Sequence, residues 1–291
     1  MAGIEYAAPD DLSSAVALLA KQPPGRARLL AGGTDLLLAL PKAGQEHLVV
    51  DLKRIPDLTT TTLGEDGLRI GPAQCCALFT KEPDVGRIWP GLTEAAALIG
   101  SSQVQGRASI GGNLCNASPA ADTVPSLIVL GAVAEITGPG GKRTLPVAEF
   151  TTGPGRNALG HDEILSAILV PRPPRRSADA YLRLIPRSEM DIAVAGAAAS
   201  ISLDEGGRIN RAAVAIGAVA PTARAVPGVE PLLVGHKPTE IDPEGVADVC
   251  RQAASPISDR RGTATYRRQV VGVLAKRAVL IAIDRIGRTA P

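Results

Sequence analysis

The amino-acid sequence predicts an α+β protein. A small unit of partly parallel strands comes first, a β-rich stretch follows, and a domain of antiparallel strands and helices ends the chain. Three observations predict this. Strand-like and helix-like segments alternate over the first 55 residues, which is typical of a β-α-β unit. A glycine-containing hairpin signal lies beyond residue 190, and long segments of helical periodicity follow it.

The first unit is predicted from the order of its segments. "IEY" and "ARLL" are strand-like, and "HLVVDL" is predicted as a buried strand. "PDDLSSAVALLAKQ" has apolar residues at helical spacing, with Asp10 or Asp11 as the N-terminal cap. "TDLLLALPKAG" is predicted as a short helix that ends at Pro41 and Gly44.

From about Lys53 the chain becomes richer in strand signals. "LTTTTL" and "GLRIG" are predicted strands around the turn "GEDG". Further on, "PGLTEAAALIG" and "TVPSLIVLGA" are predicted helices, and "VAEITG", "KRTLPV" and "DEILSAILVP" are predicted strands. The proline-rich, charged segment "PRPPRRS" (Pro171–Ser177) predicts a linker. We therefore expect a first domain over residues 1–174, with lobes at about 1–55 and 56–174, and a second over 178–288.

The second domain is predicted to combine a hairpin with helices. "IAVAGAAASISL" and "RINRAAVAIGAV" flank "DEGG", where Gly206-Gly207 supply the positive φ that a tight turn needs. "DPEGVADVCRQAA" and "TYRRQVVGVLAKRAVLIAIDRI" have helical periodicity. These segments predict antiparallel strands covered by helices.

Composition argues against several classes of protein. The net charge is +2 and the basic residues are scattered, whereas a nucleic-acid binder usually shows a basic stripe with interleaved aromatics. No apolar run approaches the ~20 residues of a membrane span, and the first residues lack a signal pattern, so we expect a cytoplasmic protein. Cys75, Cys76, Cys115 and Cys250 contain no C-x-x-C pair, and the three histidines (His47, His161 and His236) lie far from them in sequence. We therefore expect no iron–sulfur cluster and no structural zinc in this chain.

The first candidate binding segment lies between the second strand and the second helix. In "LLAGGTDLLLAL", Gly32-Gly33 precede Thr34 and Asp35 at the helix start. Glycines let a ligand approach the backbone, and free N–H groups at a helix start favour an anion. The segment is neither G-x-G-x-x-G nor G-x-x-x-x-G-K-S/T. Two interpretations stay open, an anion-binding loop and a glycine-assisted tight turn.

The second candidate segment, "SIGGNLCNASPAADT" (Ser109–Thr123), repeats the pattern. Gly111-Gly112-Asn113 is predicted to present a run of N–H groups, a nest for oxyanions. Ser118-Pro119 is predicted as a helix cap followed by a proline in the first helical position. Asp122 fits either the capping of the next helix or hydrogen bonds to ribose-like hydroxyls.

Other chemistries fit this segment less well. Asn116-Ala117-Ser118 is a formal glycosylation sequon, but a chain without a secretory signal would not meet the transferase. Cys115 has no companion at metal-ligand spacing and no nearby histidine as a base. The chain thus has two loops suited to bind anions and no catalytic triad or metal motif. This combination indicates a protein that binds a dinucleotide, and the dinucleotide itself supplies the chemistry of the reaction.

At these residues a family resemblance becomes visible. "AGGTDLL" (Ala31–Leu37) and "SIGGNLCNASPAADT" resemble the two signature loops of the FAD-binding medium subunit of molybdenum hydroxylases, the family of bacterial carbon monoxide, xanthine, nicotine-type and aromatic-acyl-CoA enzymes. The resemblance continues in "DEILSAILVP", "YLRLIPRSEMDIAVAGAAASI" and "TYRRQVVGVLAKRA", so it covers essentially the whole chain. It implies a two-lobed FAD-binding domain of the PCMH type followed by a smaller C-terminal α+β domain.

The resemblance also implies roles for the matching residues. The first loop would hold the FAD pyrophosphate and the second would complete that cradle. Asp122 would bind ribityl or ribose hydroxyls, and Leu165 would contact the cofactor. Tyr181 would lie near the isoalloxazine as a stacking candidate, and Arg183 falls where relatives often carry a lysine near the flavin edge. The predicted cofactor-binding residues are Leu29, Leu30, Ala31, Gly32, Gly33, Thr34, Asp35, Leu36, Ser109, Ile110, Gly111, Gly112, Asn113, Ser118, Asp122, Leu165, Tyr181 and Arg183.

The implied function is electron transfer. Substrate would be hydroxylated at a molybdenum cofactor in a large partner subunit, and electrons would pass through 2Fe-2S clusters of a small partner subunit to the FAD of this chain. The resemblance implies a dimer of heterotrimers. The arginine-rich segments "PRPPRRS" and "DRRGTATYRRQ" and the long C-terminal helix are candidate partner surfaces.

Two alternatives stay open at the level of sequence. One is a stand-alone FAD-dependent oxidoreductase, which usually needs a substrate cavity with its own acid or base. The other is a non-catalytic nucleotide-binding scaffold, which would purify without flavin.

Overall fold

The computed structural model describes residues 3–40 and 47–289. Its first sheet is parallel, with the order β1-β3-β2, and is formed by β1 (Ile4–Ala7), β2 (Ala27–Leu30) and β3 (His47–Asp51). Helix α1 (Leu12–Ala20) covers one face of this sheet, and its N-terminal cap is Asp11, whose carboxylate accepts the Ser14 N–H at 2.8 Å. The predicted β-α-β unit is thereby confirmed.

A short helix follows the second strand. It is α2 (Leu36–Ala39), and its neighbour Leu40 packs with Leu30 and Val49 on the sheet face opposite α1. The predicted helix end at Pro41 and Gly44 lies outside the described residues.

The second sheet forms the main body of the first domain. Its order is β4-β5-β10-β6-β7 and its paired strands are antiparallel, while β8 and β9 pair separately. The strands are β4 (Thr62–Leu63), β5 (Gly67–Ile70), β6 (Val133–Gly138), β7 (Gly141–Pro146), β8 (Thr151–Gly153), β9 (Arg156–Asn157) and β10 (Ile164–Pro171). The helices around it are α3 (Pro56–Thr59), α4 (Cys76–Phe79), α5 (Pro83–Ile88), α6 (Pro90–Ala97), α7 (Ser102–Gln105), α8 (Ile110–Cys115), α9 (Thr123–Val129) and α10 (Val147–Phe150).

The core beside the second sheet contains the tryptophan and both phenylalanines of the chain. Trp89, which is the only tryptophan, is fully buried with Phe79 and Phe150 among aliphatic residues. Because aromatics make up only 2% of the sequence, most of the remaining core consists of Leu, Val, Ile and Ala.

The predicted strand "LTTTTL" is wrong in its first half. Leu58 and Thr59 belong to α3, and only Thr62–Leu63 form a strand. Pro56 occupies the first turn of α3, where its fixed φ favours a helical start. The Thr59 hydroxyl donates to the Pro56 carbonyl at 3.1 Å, so this threonine stabilises the turn instead of extending the strand.

The C-terminal domain is one antiparallel sheet with helices. The strands β11 (Ser177–Leu184), β12 (Ala195–Leu203), β13 (Ile209–Gly217) and β14 (Arg224–Ala225) pair in sequential order. The predicted hairpin is present, with Gly207 alone at a positive φ of 78°. A 3-10 turn (Pro227–Val229) leads to α11 (Glu230–Leu233), α12 (Pro243–Ala253) and α13 (Ala264–Thr289). Residues 172–176 between β10 and β11 have no strand or helix, as predicted for a linker.

The C-terminal sheet is packed on both faces. One face buries Ala197, Ile216 and their neighbours against α12 and α13. The other face meets α6 and α9 of the first domain through Ala95, Val129 and the ring of Tyr181. Among the described residues no helix is long and apolar enough to cross a membrane.

The two domains approach each other closely at the start of α6. A Cβ on Gly91 would lie 2.7 Å from the backbone nitrogen of Ala180 in β11, so only glycine allows this approach. The neighbouring Asp179 carboxylate accepts the Leu92 N–H at 3.0 Å and thus caps α6 from the other domain. Arg285 of α13 donates to the Asp179 carbonyl at 2.6 Å and pairs with Glu94 of α6.

Asp179 predicts a pH dependence of stability. Burial raises the pKa of this carboxyl to about 7, although its bonds to Gly91 and Leu92 N–H oppose the shift. The folded chain therefore holds a proton that the unfolded chain releases near pH 4, so this group makes folding less favourable as pH rises from 4 to 7. In the wild-type chain this group should lower the free energy of unfolding on the order of 2–4 kcal/mol across that range. We expect this decrease to be absent in Asp179→Asn.

Urea unfolding at several pH values between 5 and 8 measures this effect. The control is Asp66→Asn, which changes an exposed carboxylate. Parallel pH profiles for wild type and Asp179→Asn would contradict the assignment.

Candidate cofactor-binding cleft

A cleft of about 630 Å³ lies in the first domain. Its walls come from three places: the chain around β2 and α2, the chain around α8, and the segment that leads into β10. All of its lining residues lie before residue 166, so the C-terminal domain does not form its wall.

The first wall is the loop of residues 31–36, called here loop 1. β2 ends at Leu30, and Gly33 turns the chain at a φ of +80°. The N–H groups of Gly32, Gly33, Thr34, Asp35 and Leu36 have no hydrogen-bond acceptor among the described residues. Five successive free donors at the end of a strand are suited to an anionic group.

The second wall is the segment Ser109–Asn113, called here loop 2. Ser109 is the N-terminal cap of α8, and its Oγ accepts the Gly112 N–H at 3.0 Å. The Asn113 N–H donates to the Ser109 carbonyl at 2.9 Å. The predicted nest over Gly111-Gly112-Asn113 is therefore wrong in its extent, because two of its three donors are used inside the helix. Ile110 follows Ser109, which bridges to Cys75 in an antiparallel pair, so of Ile110 and Gly111 only Gly111 has an N–H without an acceptor among the described residues.

Glycine is needed where the walls meet other backbone. A Cβ on Gly32 would overlap the Arg107 carbonyl, lying 2.6 Å from its carbon. A Cβ on Gly111 would lie 2.5 Å from the Pro72 carbonyl oxygen. The contact of Gly32 packs loop 1 against the chain that enters loop 2. The contact of Gly111 packs the start of α8 against Pro72. These glycines therefore set the shape of the cleft through contacts behind its surface.

Ser118 differs from its predicted role. It heads a turn in which its Oγ accepts the Ala120 N–H at 3.2 Å, and α9 begins only at Thr123. Ala117, with φ at +50°, redirects the chain just before it. The predicted helix cap at Ser118-Pro119 is therefore wrong. Asn113 supports the start of α9 instead, since its Oδ1 accepts from the N–H and the hydroxyl of Thr123.

Asp122 joins the two domains through its side chain. It precedes α9 but does not cap it. Its carboxylate accepts the Tyr181 hydroxyl at 2.8 Å and an Arg183 Nη at 2.6 Å. Burial raises the pKa of Asp122 and the nearby Arg183 opposes that rise, while burial and the Asp122 charge raise the pKa of Tyr181 well above its ordinary value. The group is therefore a buried ion pair with a neutral phenol.

The predicted cofactor residues divide into three sets. Leu29, Ala31 to Leu36, Ser109, Gly111 to Asn113 and Leu165 line the cleft. Leu30 and Ile110 are buried behind it. Ser118, Asp122, Tyr181 and Arg183 lie outside its lining, and the Tyr181 ring packs among Ala95, Val129 and Ala198.

Sequence reasoning missed other residues that line the cleft. They include Arg28, His47, Asn157, His161 and Glu163. Arg143 holds Glu163 through hydrogen bonds of 2.6 and 2.7 Å, which lower the pKa of that carboxyl. No motif marks these positions, because they come from three separate segments that the fold brings together. No group of three or more His, Cys, Asp or Glu side chains within residues 3–40 and 47–289 is placed to hold a metal ion.

The fold and the cleft together define a two-domain protein whose first domain carries a cleft lined by backbone N–H groups without acceptors among the described residues. Comparison with known families makes this more specific. Residues 2–173 match the FAD binding domain in molybdopterin dehydrogenase, and residues 180–282 match the CO dehydrogenase flavoprotein C-terminal domain.

Individual relatives match over nearly the whole chain. The putative xanthine dehydrogenase FAD-binding subunit of Escherichia coli K12 is 33% identical over 95% of this chain and 94% of its own. The carbon monoxide dehydrogenase medium chain of Hydrogenophaga pseudoflava is 34% identical over 97% of each chain. A solved structure of carbon monoxide dehydrogenase from that organism matches with a TM-score of 0.91 and 32% identity, over 97% of this chain and 98% of the other.

The chain belongs to the family of FAD-binding medium subunits of molybdenum hydroxylases. It is an oxidoreductase subunit whose first domain is an FAD-binding domain. The predicted fold class, FAD as the cofactor and the family resemblance are confirmed by these matches.

The glycine contacts predict which substitutions destroy the cleft. We expect Gly32→Ala and Gly111→Ala to lower FAD retention at least tenfold, because each new methyl group overlaps backbone that forms the walls. The flavin content of purified protein, read from its visible absorbance, measures the loss. Gly140→Ala is the matched control, since no atom lies within 4 Å of its added Cβ. Full flavin content in both cleft variants would show that the walls tolerate separation.

We predict that the Cys115 thiol is not required for FAD binding or electron transfer. Its thiol borders the cleft, and burial raises its pKa to about 12, so it carries almost no thiolate at neutral pH. We expect Cys115→Ser to keep FAD binding and electron transfer within about twofold of wild type. Loss of electron transfer with FAD still bound would assign the thiol a role.

Proposed function

We propose that this chain binds FAD in the cleft and transfers electrons between partner subunits and an external acceptor. The free N–H groups of loop 1 and of Gly111 in loop 2 are the observation that most supports the proposal, because their residues line one cleft in an FAD-binding domain. Residues 29–36 and 109–113 hold the pyrophosphate, and Leu165 contacts the cofactor from β10.

The residues of this chain fit FAD by an independent criterion. The residues that carry the free donors line the cleft, and a Cβ at Gly32 or Gly111 would overlap the backbone of Arg107 or Pro72 behind its walls. FAD supplies the electron-accepting and electron-donating chemistry when bound. The protein positions the dinucleotide and encloses it.

Asp122, Tyr181 and Arg183 stay predicted cofactor contacts. In the described chain they satisfy one another, with the carboxylate shared between the phenol and the guanidinium. The Arg183 side chain is 6% exposed and its Nε has no partner in the described part of the chain. We propose that this group sets the position of the C-terminal domain behind the cofactor, and that Arg183 adds positive charge near the flavin.

Partners follow from the family. The relatives named above are subunits or chains of xanthine and carbon monoxide dehydrogenases. We propose a large subunit with the molybdenum cofactor and a small subunit with 2Fe-2S clusters, assembled as a dimer of heterotrimers. The chain would act in the cytoplasm.

One exposed surface is suited to docking a partner subunit. Met190, Ile192, Ile257 and Tyr266 are about half to three-quarters exposed. Their two segments are held together by the ion pair of Asp191 with Arg261, at 3.3 Å. Only Tyr266 of this surface belongs to the arginine-rich segment 259–269 that was predicted as a partner surface, and Ile257 lies just before it. Apolar patches with a polar rim are typical of protein interfaces.

A charge placed on this docking surface should weaken binding of the partner subunits without lowering the FAD content of the chain. We expect Ile192→Lys to lower co-purification of the partner subunits at least fivefold while FAD content stays unchanged. Leu63→Lys is the matched control, because Leu63 is also exposed but lies on β4 in the first domain. Equal assembly of both variants would remove this surface from the proposal.

Reduction of the flavin separates electron transfer from the alternatives. We expect xanthine or carbon monoxide, the substrates in the relatives' names, or another substrate of the native assembly to reduce the flavin only when all three subunits are present. Dithionite is the positive control on the isolated chain. Reduction of the isolated chain by an organic substrate would support a stand-alone enzyme, and a chain that binds no flavin would support a scaffold.

A further inference from the structure

His47 is a buried polar side chain in the cleft for which the described chain offers no partner. It is the first residue of β3 and is 2% exposed. Neither of its ring nitrogens has a hydrogen-bond partner among the described residues, and it lines the cleft. Buried polar groups are paired in the great majority of cases.

The surroundings of His47 explain why it stays unpaired. Alternation along β3 places it on the sheet face of Val49 and Asp51, away from α1. On the β1 side its neighbour in the ladder is Ile4, which has no polar side chain. On the β2 side the register places Arg26 beside it, and the Arg26 guanidinium pairs with Glu5 at 2.9 Å. Asp51, the nearest carboxylate on this strand, already accepts from the Tyr6 hydroxyl and Lys53. An apolar residue at position 47 would therefore suit the folded chain at least as well.

His47 lies at the opposite end of the strands from loop 1. The strands β2 and β3 are parallel, and Ala27 pairs with Leu48, next to His47. Loop 1 leaves the other end of β2, and an extended chain from Ala27 to Gly32 spans about 16 Å. Gly25, Ala27, Arg28 and Leu29 border the cleft along this distance. This arm of the cleft offers room for one nucleoside half of a dinucleotide whose pyrophosphate lies at loop 1.

Enclosure indicates which half occupies this arm. The isoalloxazine must exchange electrons with other molecules, whereas the adenosine half takes no part in the reaction. A neutral imidazole has one donor and one acceptor, and adenine and ribose each offer both donors and acceptors that can pair with them. A half-turn about the Cβ–Cγ bond exchanges each ring nitrogen with a carbon and leaves the ring shape unchanged, so a nitrogen can face either way.

We propose that His47 hydrogen-bonds the adenosine half of FAD and is a positioning residue for the cofactor. This inference rests on the proposed placement of FAD in the cleft. The partner that His47 lacks in the described chain is then supplied by the ligand.

Binding measurements on the full-length chain, freed of flavin, test the proposal. We expect His47→Leu to weaken FAD binding about tenfold, the effect of about 1.4 kcal/mol. ADP, used as a competitor of FAD, should weaken to the same degree, because it carries the same adenosine. His47→Gln, which keeps a donor and an acceptor, should recover most of the affinity. His236→Leu is the control, because His236 is exposed and lies outside the cleft.

The outcomes distinguish the proposals. A wild-type chain that binds neither FAD nor ADP would overturn the proposed function itself. Unchanged FAD affinity in His47→Leu, with wild type binding normally, would overturn only the role of His47. Weaker FAD binding with unchanged ADP affinity would place His47 at the flavin half and also overturn it. Thermal unfolding of the flavin-free chain adds a separate readout: we expect His47→Leu to be at least as stable as wild type, and a large loss of stability would show a purely structural role.

Discussion

The contact between Gly32 and the Arg107 carbonyl is the constraint on which the binding site depends. It brings together two segments that belong to different sheets, loop 1 after the parallel sheet and loop 2 beside the antiparallel sheet. A side chain at residue 32 would hold them apart, and the free N–H groups of the two loops would then face different spaces. The shape of the cleft thus depends on backbone packing.

The C-terminal domain packs against the helices α6 and α9 of the first domain. Its sheet is covered by α12 and α13 on one side and by α6 and α9 on the other, so it acts as the central layer between the two domains. Two buried aspartates lie at this boundary. Asp122 pairs with an arginine and a phenol, whereas Asp179 accepts backbone N–H groups and leaves one oxygen unpaired among the described residues. The first arrangement stabilises a charge in the interior, while the second favours a protonated acid.

The sequence was sufficient for features that depend on neighbouring residues. Asp11 caps α1 and Gly207 turns the hairpin because the residue types alone determine those conformations. The sequence was insufficient where the preferred conformation of a segment is changed by a hydrogen-bond partner or a neighbouring residue, whether that partner is near or far along the chain. Pro56 starts a helical turn that takes in the first two residues of a predicted strand, and Ser109 accepts the Gly112 N–H of the predicted nest. The partners of Asp122 lie about 60 residues away along the chain, and the burial of His47 follows only from the sheet. The resemblance identified FAD, which residue patterns alone had left as an unspecified dinucleotide.

The position of Trp89 gives the protein an internal optical probe. As the only tryptophan, it is fully buried at the start of α6, where the core of the first domain meets the C-terminal sheet. Its emission therefore comes from a single apolar environment and should lie at short wavelength in the native state. Flavin absorbs in the same spectral region, so energy transfer would make this one side chain sensitive to cofactor occupancy. Fluorescence can thus follow domain separation and cofactor release in one experiment without any added label.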